Sequence, residues 1–170
     1  MTDKLEKQIG DYLISTGLKL CLAESCTGGL ISHLITNVPG SSEYFIAGVV
    51  AYSYEAKETL LGVRKRTLTR YGAVSKETVL EMAQGVREKI KKQYPLEKTV
   101  AVSVSGIAGP GGGLPGKPVG LVWVGLSTPA GNQAFQFIGN RTREENKTFS
   151  AQKALEILLE ELRQYGKSPH

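Results

Sequence analysis

Residues 21–29 read Cys-Leu-Ala-Glu-Ser-Cys-Thr-Gly-Gly, and the fold turns on how they are parsed. The apolar run 18–23 has the length and character of a buried strand. After the polar cluster Glu24, Ser25, Cys26 and Thr27, the residues Leu30, Ile31, Leu34 and Ile35 take up helical spacing. The cluster therefore sits where a strand gives way to a helix. In an α/β sheet that is the carboxyl end of a strand, where ligands bind. The first amides of a helix have no partners inside it and can hold a phosphate or a developing oxyanion. Gly28 and Gly29 clear space for a close approach. Ser25, Cys26 and Thr27 are three candidate nucleophiles in a row. The same residues also fit a plain N-cap, with Thr27 or Ser25 satisfying helix donors.

Upstream, residues 3–16 place Leu5, Ile9 and Leu13 on one helical face, and Gly17 can end that helix. Downstream, a helix over 28–37 stops at Asn37-Val38-Pro39-Gly40, and Ser41 and Ser42 open a second polar corner. Residues 46–52 are β-rich and predict a buried strand. Lys57 falls just past its end, as Ser25 falls just past the first, and Leu60 and Leu61 suggest a short helix. Residues 63–74 read as an irregular connection. Ser75 caps a long helix to about residue 93, with Val79, Met82, Ala83, Val86 and Ile90 as its apolar stripe. A strand over 99–103 leads into residues 105–118, a glycine-rich stretch that reads as a ligand loop. Residues 119–126 and 133–138 predict a hairpin turning at Pro129-Ala130-Gly131-Asn132. Thr142 and Glu145 form a capping box for a last helix carrying Leu155, Leu158, Leu159 and Leu162, with a frayed tail after Tyr165. Early alternation of helix and strand with a late hairpin predicts a single three-layer α/β domain with a mixed sheet.

A chain of 170 residues with 41% hydrophobic residues can bury one full core, and no run approaches the roughly 20 apolar residues of a membrane span. No signal-peptide pattern opens it. Cys21 and Cys26, the only cysteines, fall on opposite strand faces, which argues against a disulfide and for a reduced, cytoplasmic setting. The net charge of +5 is modest. Its densest patches, Arg64-Lys65-Arg66 and Lys91-Lys92, lack interleaved aromatics. They read as solvated surface rather than a nucleic-acid site, and the charge suits an anionic small-molecule substrate.

Three segments together are specific: Ala23-Glu24-Ser25-Cys26-Thr27-Gly28-Gly29; Ala51-Tyr52-Ser53-Tyr54-Glu55-Ala56-Lys57; and Ser103-Val104-Ser105-Gly106-Ile107-Ala108-Gly109-Pro110 with Lys117-Pro118-Val119-Gly120. With Pro39-Gly40-Ser41-Ser42 and Gly72-Ala73-Val74-Ser75, they resemble the CinA C-terminal domain family, whose stand-alone members include nicotinamide-nucleotide amidases. The resemblance covers about residues 5–162. It implies an α/β/α sandwich with a mixed, mostly parallel sheet, a homo-oligomer, and hydrolysis of the carboxamide of nicotinamide mononucleotide to nicotinate mononucleotide and ammonia. Many family members fuse this domain to a molybdopterin-binding-like domain, which the 170 residues do not contain.

Amide hydrolysis needs a nucleophile, a base, an oxyanion site and a proton for the leaving ammonia. No metal set or cofactor motif stands out. His33 lies mid-helix among apolar residues and His170 at the tail, so a histidine triad is not expected. Lysine is then the best base, since desolvation lowers its pKa. The leading expectation is a Ser25–Lys57 dyad with an oxyanion held near Thr27 and Gly28, and Tyr52 relaying a proton or stacking on the pyridinium. Cys26 and Ser42 are the alternative nucleophiles. For binding, Arg141 is expected to fork onto the phosphate, and Ser105, Gly106, Gly109, Pro110 and Gly111 to line the ribose or phosphate. Glu24, Thr27, Gly28 and Gly29 belong to the same pocket. Glu55 either neutralises Lys57 or holds the pyridinium. The competing readings are a non-catalytic nucleotide-binding module and a competence-type protein without amidase activity.

Overall fold

The computed structural model describes residues 4–165. In chain order the elements are α1 (Leu5–Thr16), β1 (Lys19–Glu24), α2 (Leu30–Thr36), β2 (Phe45–Val50), α3 (Tyr54–Leu61), α4 (Lys65–Tyr71), α5 (Lys76–Ile90), β3 (Thr99–Gly106), β4 (Leu121–Thr128), β5 (Gly131–Ile138) and α6 (Arg143–Tyr165). One five-stranded sheet runs in the order β2-β1-β3-β4-β5. The β1 pairings to β2 and β3 are parallel, and the β3–β4 and β4–β5 pairings are antiparallel. Four of the five strands therefore point the same way.

Strand alternation sorts the core into two layers. Leu20, Leu22, Val100, Val102 and Val104 face α1, α2 and α6. Cys21, Ala23 and Ala101 face the layer that holds Leu61 of α3, Leu68 of α4 and Met82 of α5. The first face is built of large aliphatics. The second is built of small residues, so α5 lies close to the sheet: Ser103 Oγ donates to Val79 O at 2.5 Å, and a Cβ on Gly125 would stand 2.4 Å from Val79 O. Cys21 and Cys26 are free and pack in opposite layers, as the alternation predicts.

Local signals set most of the ends. Gly17 closes α1 in a left-handed conformation, φ +69°. Ser75 Oγ accepts from Thr78 N at 3.2 Å to start α5. The capping box before α6 is present, with Thr142 N donating to Glu145 Oε2 at 3.0 Å. Three expectations are corrected. Part of the supposed irregular connection over 63–74 is α4, held by Leu68 in the core and by Thr67 and Arg64 bonding Glu81. Strand β3 runs on to Gly106, because it pairs with β4 as far as Val122, so the glycine-rich loop begins later. The hairpin strands reach Thr128 and resume at Gly131, which shortens the turn to Pro129 and Ala130. The frayed tail after Tyr165 and His170 lie outside the described residues. Among the described residues, no helix is long and apolar enough to cross a membrane.

Candidate active site

The corner after β1 is built by one step of strand alternation. The ladder continues past the strand: Ala51 N donates to Glu24 O at 2.9 Å, and Ser25 N to Val104 O at 3.0 Å. Glu24 therefore points into the layer of α2, and Ser25 into the layer of α3. Gly28 and Gly29, at φ +61° and +98°, reverse the chain into α2 in a conformation that disfavours any side chain.

Glu24 is fully buried and serves as the cap of α2. Its Oε2 accepts from Gly29 N (3.1 Å) and Ile31 N (3.0 Å), and its Oε1 from Ser32 N (2.8 Å) and Ser32 Oγ (2.7 Å). This corrects two expectations. Glu24 is not free to bind substrate, and neither Ser25 nor Thr27 caps the helix. Gly28 N is also committed, to Ser25 O at 3.0 Å. Within the turn, the amides of Cys26 and Thr27 are the ones that donate to no oxygen among the described residues. Thr27 Oγ1 is buried without a hydrogen-bond partner there.

Lys57 sits in the first turns of α3 and folds back beneath the end of β2. Its side chain is 0% exposed. Nζ lies 2.9 Å from Ser25 Oγ, 2.8 Å from Ala51 O and 2.9 Å from Tyr52 O. Three acceptors thus meet the three protons of an ammonium. None is charged, and burial pulls the pKa down to about 8, with the neighbouring Cys26 thiol opposing weakly. Ser25 is 7% exposed.

The other expected residues divide. Cys26 packs with the aliphatic layer, and burial pushes its thiol up to about 11, so it is protonated at neutral pH and behaves as a small hydrophobe. Ser42 lies in a short 3₁₀ turn, Ser41–Glu43, before β2. That is the amino end of the parallel strands, a strand length of roughly 20 Å from Ser25, so it is no alternative nucleophile here. Tyr52 is 61% exposed, and its phenol accepts from Arg143 Nη2 at 3.0 Å rather than from the dyad, which removes it as a relay; its carbonyl is what touches Lys57. Glu55 is exposed and does not neutralise Lys57. Its own backbone amide and the Ser53 hydroxyl hold its carboxyl below the usual range. Ser105 is buried in β3, one residue past the carbonyl that receives Ser25 N. Gly106 is a packing residue, since a Cβ there would meet Leu121 O at 2.8 Å. Gly109 O accepts from Arg143 Nη1 at 2.7 Å, while Pro110 and Gly111 are exposed further along the loop. His33 is exposed on α2 beside Asn37, away from the dyad.

Arg141 is misplaced for the pocket: its guanidinium stacks on Phe149 at 4.6 Å. The arginine that enters is Arg143, which bridges Tyr52 and the base of the glycine-rich loop. The sequence signal for it was the Arg143–Lys147 spacing of four, which puts two cations on one face of a helix opening beside the site. The loop is also tied down at its far end, where Lys117 Nζ donates to Tyr71 O at the end of α4. Among the described residues, no group of three His, Cys, Asp or Glu side chains converges as a metal would need.

Fold and corner together define a three-layer α/β domain with a buried serine–lysine pair at the carboxyl end of its central parallel strands. The model of the CinA C-terminal domain family matches residues 2–162, and the chain belongs to that family. A CinA-like protein of Desulforapulum autotrophicum is 46% identical over 96% of this chain and 38% of its own length. A CinA-like protein of Chloroherpeton thalassium is 53% identical over 77% of this chain and 30% of its own. The chain thus spans about a third of the length of these relatives. Among solved structures, the competence damage-inducible protein A of Klebsiella pneumoniae superposes with a TM-score of 0.87 at 32% identity, over 94% of this chain and 95% of that one. The competence/damage inducible protein CihA of Agrobacterium tumefaciens does so with 0.81 at 37% identity, over 96% and 98%.

Proposed function

We propose that the protein hydrolyses the carboxamide of nicotinamide mononucleotide, with Ser25 as nucleophile and Lys57 as base. The observation that carries this is the setting of Lys57 Nζ. In the neutral amine, two N–H groups stay on Ala51 O and Tyr52 O, and the one lone pair is left facing Ser25 Oγ. The two carbonyls aim the base. Burial keeps the amine available near neutrality.

Ser25 Oγ attacks the carboxamide carbon as Lys57 takes the hydroxyl proton. The tetrahedral oxyanion accepts from the amides of Cys26 and Thr27. Lys57 passes the proton to the amine as the C–N bond breaks, and ammonia leaves. Water, deprotonated by Lys57, then cleaves the seryl ester and frees nicotinate mononucleotide. Arg143 holds the rim by joining the Tyr52 phenol to Gly109.

The test is release of ammonia and nicotinate mononucleotide by the purified protein. Ser25→Ala and Lys57→Ala should abolish turnover while folding normally, and Ser42→Ala should retain it. Saturable nucleotide binding by the parent protein with no ammonia released would replace the amidase by a binding module.

A further inference from the structure

Residues 63–76 carry Arg64, Lys65, Arg66, Arg70 and Lys76 and no carboxylate. Along the chain they divide into a basic triplet and two separate cations. Folding of 65–71 into α4 puts Arg66 and Arg70 one turn apart on one face. Both are exposed. With Arg64, Thr67 and Tyr71 they line a hollow of about 300 Å³. No acidic residue lines it, and neither Ser25 nor Lys57 does.

The three arginines are not equivalent. Glu81 of α5 holds Arg64: its Oε2 accepts from Arg64 N at 2.8 Å, and its Oε1 from Arg64 Nε at 2.7 Å and Thr67 Oγ1 at 2.8 Å. Both carboxylate oxygens are thereby engaged on Arg64 and Thr67. Arg70 lies over the Tyr71 ring, 5.2 Å from its centroid, and a ring face steadies a guanidinium without neutralising it. Among the described residues, Arg66 and Arg70 donate no hydrogen bond and enter no ion pair. Like charges at this spacing destabilise a helix, and α4 is too short to hold alone. An anion seated between the two turns that repulsion into a cross-link.

We propose that this face of α4 binds a small ligand bearing two or three linked phosphates. Guanidinium forks match phosphate oxygens in pairs, which an ammonium does not. Two guanidiniums with every N–H free offer more donors than a single phosphate can use. Tyr71 is the one ring lining the hollow, whereas a single-stranded nucleic acid is held on a row of them. The assignment needs nothing from the amidase reading.

Calorimetric titration of inorganic tripolyphosphate in metal-free buffer tests it. The parent protein should show a saturable site, tighter than for orthophosphate by about tenfold or more at equal ionic strength. Arg66→Gln/Arg70→Gln should weaken it roughly 10- to 100-fold, and Arg66→Lys/Arg70→Lys should recover only part of the loss. Lys91→Gln/Lys92→Gln removes the same charge elsewhere on the surface and should leave the affinity nearly unchanged. Tripolyphosphate at about a hundredfold excess over Kd should raise the parent's melting temperature by roughly 5–10 °C, and that of the Gln pair far less. Should the Gln pair not fold, Arg66→Ala/Arg70→Ala replaces it. No saturable binding by the parent, unchanged affinity in the Gln pair, or an equal loss in the Lys91/Lys92 control overturns the proposal. So does an oligothymidylate that binds this face more tightly than tripolyphosphate, which would make it a nucleic-acid surface.

Discussion

At Lys57 three neutral acceptors meet one buried ammonium, and among the described residues no carboxylate pairs with it. A base must be unprotonated to work. With the Lys57 pKa near 8, kcat/KM should rise about tenfold per pH unit below that value and level above it. The same shift has a stability sign. The unfolded chain holds the proton up to the ordinary lysine value of 10.5, while the folded chain releases it near 8. Stability should therefore increase with pH across that window, as urea titrations at a series of pH values would read. Tyr52 gives a sharper residue-scale test. Tyr52→Phe keeps the carbonyl on Lys57 and loses only the phenol bond to Arg143. KM should rise by roughly 5- to 15-fold, the worth of one hydrogen bond, with kcat nearly kept. A large fall in kcat instead would return the phenol to the proton path. Nothing in sequence distinguishes a tyrosine that lends its carbonyl from one that lends its hydroxyl.

Helix α5 shows how closely the elements are fitted. Gly85 lies inside it, where alanine would ordinarily favour a helix by about 1 kcal/mol. Yet a Cβ there would stand 1.7 Å from Leu61 O, the end of the helix that carries Lys57. Gly85→Ala should therefore destabilise the protein by about 1–3 kcal/mol, opposite to the propensity, and disturb the seating of α3 as well. Chemical denaturation and turnover on the same sample check both. The element ends that were legible had local chemistry: Gly17, Ser75 and the Thr142–Glu145 box act through bonds to residues three or four away. Helix α4 is not legible in the sequence because its support is tertiary. It spans only Lys65–Tyr71, too short to hold alone, and depends on Leu68 in the core and on Glu81 of α5.

Across the molecule, Arg87 stitches the far end of the sheet. From α5 it donates to Thr99 Oγ1 at 3.1 Å, Ser127 Oγ at 2.8 Å, Thr128 O at 3.1 Å and Leu96 O at 2.5 Å. These partners belong to β3, β4 and the turn before β3, at the opposite end from Ser25. A lysine there cannot span the same fork. Arg87→Lys should cost about 2–4 kcal/mol and lower the melting temperature by roughly 4–16 °C. The Ser25–Lys57 geometry lies at the other end of the sheet, so turnover per folded molecule should hold well below the new melting point. A loss of turnover without a loss of stability would mean the two ends are coupled.

Features that act over short distances along the chain are legible in its residues alone. The strand-to-helix corner at Ser25, the second strand end before Lys57 and the main caps depend on period and on neighbours a few residues apart, and the matching motifs identified the family. Which side chain meets which across layers depends instead on how the elements pack. One residue of strand phase sends Glu24 to α2 and Ser25 to α3, so the carboxylate became a cap and the serine a partner of Lys57. One turn of helix sends Arg141 to Phe149 and Arg143 to Tyr52 and Gly109. Such choices rest on the angles at which packed elements meet, and residue spacing along the chain does not specify them.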